Sequence, residues 1–246
     1  MAYNPNTTQN LHGSIAIITG AGSGIGRAAA LTLSHAGVSV VLAARTRQNL
    51  EALAQEIASN GGTALALPCD VSDETQVEKL VTTTKERFGR LDILITSAGG
   101  ASFAPLVESH TEDWDAMMQI NLRGTYLCCK HALKVMLVQG RGHILNVLSI
   151  ASQTILPGSA AYTASKFGAL GLTKVMAAEV RAQGIKVTAV IPGAVDTPLW
   201  DKSGGDLDRK KMLSPADVAT AMLSIIAQPP EIYTDEIVLM PPLGIL

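Results

Sequence analysis

A doubly wound α/β domain, with a parallel sheet of about seven strands and helices on both faces, is the fold this sequence predicts. Three observations lead there. Apolar, β-branched runs alternate with longer helix-patterned segments from residue 14 onward. The runs are apolar nearly throughout, as strands covered on both faces are. The chain has 246 residues, 47% of them hydrophobic and 16% charged, enough to bury one large core, and α/β units often reach this length as a single domain.

The elements follow in order. Residues 14–19 (SIAIIT) read as the first strand and 24–37 (GIGRAAALTLSHAG) as a helix ending at Gly37. Residues 38–44 (VSVVLAA) are the second strand, and the helix over 47–62 stops at the paired glycines Gly61 and Gly62. The unit repeats with the strand 63–71 (TALALPCDV) and the helix 73–89, then with the strand 92–99 (DILITSAG) and one long helical pattern from Thr111 to about Gln139. Residues 142–149 (GHILNVLS) lead into a helix from Ala160 onward; 185–193 (IKVTAVIPG), the helix 214–228 and the strand 236–240 (EIVLM) complete the series. No solenoid repeat, low-complexity tract or linker divides the chain. Residues 1–12 read as a loose polar tail and 13–246 as one domain.

Composition excludes several function classes. A net charge of −2 gives no general attraction to nucleic acid or an anionic membrane. No apolar run reaches the roughly 18 residues of a membrane span, and the polar start lacks the basic and apolar regions of a signal peptide. Cys69, Cys128 and Cys129 form no C-x-x-C pattern, and the five histidines have no metal-ligand spacing, so neither a disulfide framework nor a metal site is expected. The compartment expected is a reducing cytoplasm.

Between the first strand and helix lies TGAGSGIGR, with Gly20, Gly24 and Gly26 spaced G-x-x-x-G-x-G. A chain without Cβ atoms can turn tightly and approach a ligand closely, and a helix N-terminus presents free N–H groups to a pyrophosphate. Gly20, Ser23, Gly24, Ile25 and Gly26 are therefore candidates to hold a dinucleotide. At the end of the second strand an acidic residue would take the ribose 2′-OH of NAD, whereas an arginine accommodates the NADP phosphate. LAARTR puts Ala44 at the acidic position and Arg45 after it, with Arg47 as a second candidate. NADP(H) is the cofactor expected, ahead of NAD(H).

In AAYTASKFGALGLTK, Tyr162 and Lys166 stand four residues apart and share a helix face, among small neighbours. A phenol with a reference pKa near 10 is a poor acid or base at neutral pH, and a nearby ammonium favours the phenolate. Ser149 ends the strand entering this helix, at the carboxyl edge where open α/β sheets bind ligands. Asn121 sits within the long helical pattern, where a buried amide needs a reason.

With TGAGSGIG, CDV, SAG, IN, S…YTASK and PGAVDT in this order, the chain resembles the short-chain dehydrogenase/reductase family from about Gly13 to Leu239. The resemblance implies a Rossmann-type oxidoreductase. Tyr162 would be the acid/base, Lys166 would lower its pKa and hold the nicotinamide ribose, and Ser149 would bind the substrate oxygen. Asn121 would anchor a water relaying protons from Lys166. Asp70 and Val71 would border the adenine, and Ser97, Ala98 and Gly99 would pass beneath the cofactor. Pro192, Gly193, Val195 and Thr197 would frame the nicotinamide. The sequence departs from the family pattern in three places. Thr96-Ser97 replaces two asparagines that brace the sheet and cofactor, Leu148 replaces a serine, and EIVLMPPLGIL lacks the common Val-Asp-Gly-Gly ending.

Substrate preference should lie in the loop after Thr197, with Leu199 and Trp200 as a lid and Gly204 and Gly205 as its flexing points. Residues 150–153 (Ala151 among them), Gly193 and 101–106 (ASFAPL) would supply other walls. An apolar pocket without a carboxylate-binding arginine points to a neutral ketone or aldehyde. Alternatives in the family are an NAD-dependent alcohol dehydrogenase and a 3-oxoacyl thioester reductase. An NADP-binding regulator would have lost part of Ser149–Tyr162–Lys166, and all three persist. The family's usual tetramer, or a dimer, is expected from apolar residues on several helix faces: Met117, Leu122, Tyr126 and Met136 on one helix, Phe167, Leu170, Leu172 and Met176 on the other.

Overall fold

The computed structural model describes residues 9–202 and 208–245. Seven strands form one parallel sheet: β1 (Ile15–Thr19), β2 (Ser39–Ala44), β3 (Ala64–Pro68), β4 (Ile93–Thr96), β5 (Gly142–Val147), β6 (Ile185–Pro192) and β7 (Glu236–Leu239). Their order across the sheet is β3-β2-β1-β4-β5-β6-β7. Parallel neighbours need crossovers rather than hairpins, and helices supply them: α1 (Gly24–His35), α2 (Arg47–Ser59), α3 (Glu74–Phe88), α4 (Thr111–Met117), α5 (Gly124–Gln139), α6 (Ala160–Val180) and α7 (Pro215–Ile226).

Because strand side chains alternate between faces, the sheet builds two cores. Ile18, Leu42, Ile95 and Leu145 pack under α1, α2 and α7 through Leu33, Leu50 and Met222. Ile17, Val41, Leu94 and Ile144 pack under α3, α5 and α6 through Val77, Leu127 and Met176. β1 lies between β2 and β4, so the winding reverses there and the carboxyl ends of β1 and β4 open a crevice.

Local chemistry sets the ends. The Asp73 carboxylate accepts from Thr75 N and Gln76 N at the start of α3, which stops at Gly89 with φ +78°. Ser214 and Asp217 form a capping box, with Pro215 opening α7. No helix among the described residues is long and apolar enough to cross a membrane.

Three expectations change. The helical pattern over 111–139 is broken: between α4 and α5 the stretch Met118–Arg123 widens to a π-helix. Asn121 sits in that stretch and bonds the backbone of Gly100 in both directions, by Gly100 N at 2.9 Å and Gly100 O at 3.0 Å. The tail expected to be loose up to residue 12 is packed over its described part. Gln9 N donates to Ala227 O at 2.7 Å and Leu11 is buried in the core. Of the apolar helix residues expected to need a partner, Met117, Met136, Leu170 and Met176 are buried within the chain itself. Tyr126 and Phe167 remain exposed, at 43% and 44%.

Candidate active site

The crevice is floored by the turn after β1. Gly20 has φ +67°, and a Cβ there would lie 2.5 Å from Ser97 O and 2.7 Å from Ala98 N. A Cβ on Gly26 would meet Gly20 O at 2.4 Å. Only glycine permits both approaches. The hydroxyl of Thr19 ties the two strand ends together, accepting from Ser97 N at 3.1 Å and Ala98 N at 3.2 Å. Ser23 precedes α1 in an extended conformation and its side chain makes no capping bond. The first-turn N–H groups of α1 are thus left for an incoming anion.

A cleft of about 470 Å³ runs from this turn across the carboxyl ends of the strands. From the first half of the chain it is lined by Gly20, Ser23, Gly24, Ile25, Arg45, Ser97 and Gly99. Ser149, Tyr162 and Lys166 line it from β5 and α6, and Pro192, Gly193, Val195, Thr197, Leu199 and Trp200 from the segment at and after the end of β6. Sixteen separate positions expected from sequence thus meet in one cavity.

Six do not reach its surface. Gly26 and Ala98 lie under the turn. Asn121 and Ala151 are buried beneath the floor. The Asp70 carboxylate is engaged by Ser72, from its N–H at 2.9 Å and its hydroxyl at 2.7 Å. Val71 packs where a Cβ on Gly124 would stand. Gly204 and Gly205, expected to let the lid flex, lie outside the described residues.

Arg45 follows β2 and is exposed at the cleft; among the described residues it has no ion pair or hydrogen bond. Arg47, the second candidate, is engaged with Glu51 at 3.4 Å, one turn on. Ala44 offers no carboxylate, so the exposed cation next to it sets the charge at this end.

At the other end Tyr162 and Lys166 are buried, at 9% and 6% exposure. The Lys166 ammonium donates to Val147 O at 3.2 Å and lies 5.7 Å from the centre of the Tyr162 ring. Burial brings its pKa down to about 8. Tyr162 is pushed up, chiefly by burial, while a hydrogen bond with Ser149 pulls it back. The lowering expected from Lys166 is therefore not what dominates in this structure. Removing the phenol from water penalises its anion more than its neighbours favour it.

The Asn121 amide is committed. Besides Gly100 it donates to Ser165 Oγ at 3.0 Å. Its backbone carbonyl accepts from Thr125 Oγ1 at 2.8 Å. It fixes the loop after β4, including Gly99, where a Cβ would stand 3.8 Å from Lys166 Nζ.

The brace missing at Thr96 and Ser97 is supplied one strand over. Thr96 Oγ1 donates to Asn146 Oδ1 at 2.8 Å, and Asn146 Nδ2 donates to Thr173 Oγ1 at 2.9 Å. Thr173 Oγ1 donates in turn to Ala169 O at 2.6 Å, so β4, β5 and α6 are joined by one buried chain of bonds.

The wall facing Tyr162 is aromatic. The rings of Phe103 and Trp200 stack at 5.8 Å with 8° between planes, and Phe103 tilts against Tyr162 at 6.0 Å. Sequence reasoning passed over Ile120, Val147, Leu156 and Ile245, which also line the cleft. Val147 precedes Ser149 at a strand end, a position that marks ligand contact in such sheets. Leu156 and Ile245 lie in irregular chain with no comparable signal.

Known proteins resemble this chain in sequence and fold. The sequence profile of the short chain dehydrogenase family matches residues 14–208. An uncharacterised oxidoreductase of Staphylococcus aureus (strain MRSA252) is 37% identical, over 92% of this chain and 96% of its own. Among solved structures, an alcohol dehydrogenase from the archaeon Thermococcus sibiricus, complexed with 5-hydroxy-NADP, superposes with a TM-score of 0.86 at 30% identity, covering 92% of this chain and 95% of that one. A metagenomic short-chain oxidoreductase in complex with NADP gives 0.84 at 32% identity, covering 96% of this chain and 100% of that one. Sheet order, glycine turn and sequence match coincide along most of the chain, and the protein belongs to the short chain dehydrogenase family of oxidoreductases.

Proposed function

We propose that the protein transfers a hydride between NADP(H) and a ketone or aldehyde, or the corresponding secondary alcohol, with Tyr162 as general acid/base. The observation that carries this reading is one cleft with a glycine turn at one end and Ser149, Tyr162 and Lys166 together at the other. The residues fit a dinucleotide, because Gly20 and Gly26 leave no room for side chains under the turn and α1 offers uncapped N–H groups. Bound there, the nicotinamide supplies or accepts the hydride. Arg45 supports the NADP form, as do the two neighbours solved with NADP or its derivative.

In the reductive direction the phenol of Tyr162 gives its proton to the carbonyl oxygen. A raised pKa keeps that proton in place at neutral pH. Ser149 lines the same end of the cleft as the phenol and offers its hydroxyl to the same substrate oxygen, where negative charge builds. Lys166 is cationic below about pH 8 and stabilises the phenolate left behind. Asn121 is a positioning residue that holds Gly99 and Gly100. The three free cysteines, all buried, are the basis on which we place the protein in a reducing compartment.

The test is consumption of NADPH against NADH over a panel of ketones, aldehydes and 3-oxoacyl thioesters. A higher kcat/KM with NADPH is expected, and Ala44→Asp combined with Arg45→Ser should reverse the order. A wild-type preference for NADH would refute the role given to Arg45.

A further inference from the structure

The substrate half of the cleft is built for one chemistry. Beyond Ser149 and Tyr162 its walls are Phe103, Ile150, Leu156, Leu199, Trp200 and Ile245. None carries a charge. The indole N–H of Trp200 donates to Val195 O at 2.9 Å, which fixes the ring beside Phe103. Phe103 is the ring next to the proton donor, and Trp200 stacks parallel to it.

Among the described residues, no cation is placed to meet an anion at the aromatic wall. Among the described lining residues only Arg45 and Lys166 are charged. Arg45 follows β2 and Trp200 follows β6, four strand spacings apart in the sheet. At about 4.8 Å per spacing that is roughly 19 Å, too far for Arg45 to meet a group lying on Trp200. The Lys166 ammonium is held at Val147 O. Arg209, which borders the lid, is held by Asp196 and Asp201 at 2.9 Å each. A carboxylate or phosphate placed against the aromatic wall would be desolvated with no opposite charge among the described residues to receive it. A flat aromatic group would gain ring–ring contact beyond the area it buries.

From this we infer that the site takes an uncharged carbonyl compound, or its alcohol, with an aryl group directly attached to the reacting carbon. The inference rests on the hydride-transfer reading above and adds the substrate class.

The experiment compares three matched ketones with NADPH: acetophenone, cyclohexyl methyl ketone and 4-acetylbenzoate. Acetophenone should exceed the cyclohexyl ketone in kcat/KM by roughly 2- to 12-fold, the range ring contacts supply. The benzoate should fall below acetophenone by on the order of 100-fold or more. In Phe103→Leu and Trp200→Leu variants the aryl-to-cyclohexyl ratio should drop to about one. A second readout needs no turnover. The chain has two tryptophans, so Trp114→Phe, a change outside the cleft, leaves Trp200 as the only indole. Its fluorescence should respond to 1-phenylethanol and not to the matching carboxylate.

The outcomes separate the two ideas. Turnover with the benzoate within 10-fold of acetophenone, or an aryl preference that survives Trp200→Leu, overturns the substrate class and leaves hydride transfer standing. A Trp200 response without reduction of any carbonyl by NADPH or NADH overturns hydride transfer and keeps the aryl site. Absence of both responses overturns both.

Discussion

Tyr162 sits in the only part of the cleft where a phenol, a hydroxyl and an ammonium are buried together among the described residues. Tyr162→Phe removes the proton donor and leaves the ring packing nearly unchanged. Its kcat should fall by ~10² to 10⁴-fold, the usual worth of a general acid, while NADPH binding followed by fluorescence persists. The reductive rate should also decline as pH rises through about 8, where Lys166 loses its proton. His143 gives a second pH dependence, this time in stability. It is buried on β5, bonded to Thr188 Oγ1 at 2.9 Å, and burial, with Lys186 nearby, lowers its pKa to about 3. The unfolded chain then binds more protons than the native one below the ordinary histidine range near 6.5. This contribution is complete above that value and is lost as pH falls toward 3, at ~1.4 kcal/mol per pH unit. His143→Gln should flatten that part of an acid-denaturation profile. The four-residue spacing of Tyr162 and Lys166 was legible in sequence because helix geometry fixes it. The direction of the Tyr162 shift was not, since it depends on how completely the folded chain excludes water.

At the level of elements, the departures in sequence were readable and their compensation was not. Thr96-Ser97 shows plainly that two amides are gone, whereas nothing local shows that Asn146, 50 residues on, reaches Thr96. Strand register decides it: Thr96 and Asn146 are direct partners between β4 and β5. Asn146→Ala would leave the buried Thr96 hydroxyl without its acceptor, at a cost of about 1–3 kcal/mol; urea unfolding should show it. The π-helical stretch was missed for a related reason, because the backbone that its Asn121 bonds belongs to Gly100, twenty-one residues away. The described chain after β6 is tied together by Arg209, which joins Asp196, Asp201 and the carbonyl of Thr197. Arg209→Ala leaves two carboxylates near the cleft mouth unopposed. Its KM should rise several-fold with a smaller change in kcat, in the same ketone assay.

For the molecule as a whole, the alternation of strand and helix and the strand-end placement of motifs were legible because they repeat at every crossover. How the chain covers its own helices was not. Four of the eight residues expected to face a partner are buried internally, and the exposed set left on α5 and α6 includes Tyr126, Phe167 and Val175. That remainder supports the tetramer or dimer the family resemblance implies. Light scattering at micromolar concentration should give a mass of at least two chains, and Phe167→Glu should lower it; a monomeric wild type would remove the proposal.

The reversal of winding at β1 also separates the two preferences of the enzyme. On the proposed reading, cofactor choice lies after β2 and substrate choice after β6, four strands apart and sharing no hydrogen-bond partner among the described residues. Changes that far apart combine with little coupling. Each preference can then drift or be engineered without disturbing the other. In a double-mutant cycle, the Ala44–Arg45 exchange and Trp200→Leu should show free-energy effects that sum to within about 0.5 kcal/mol.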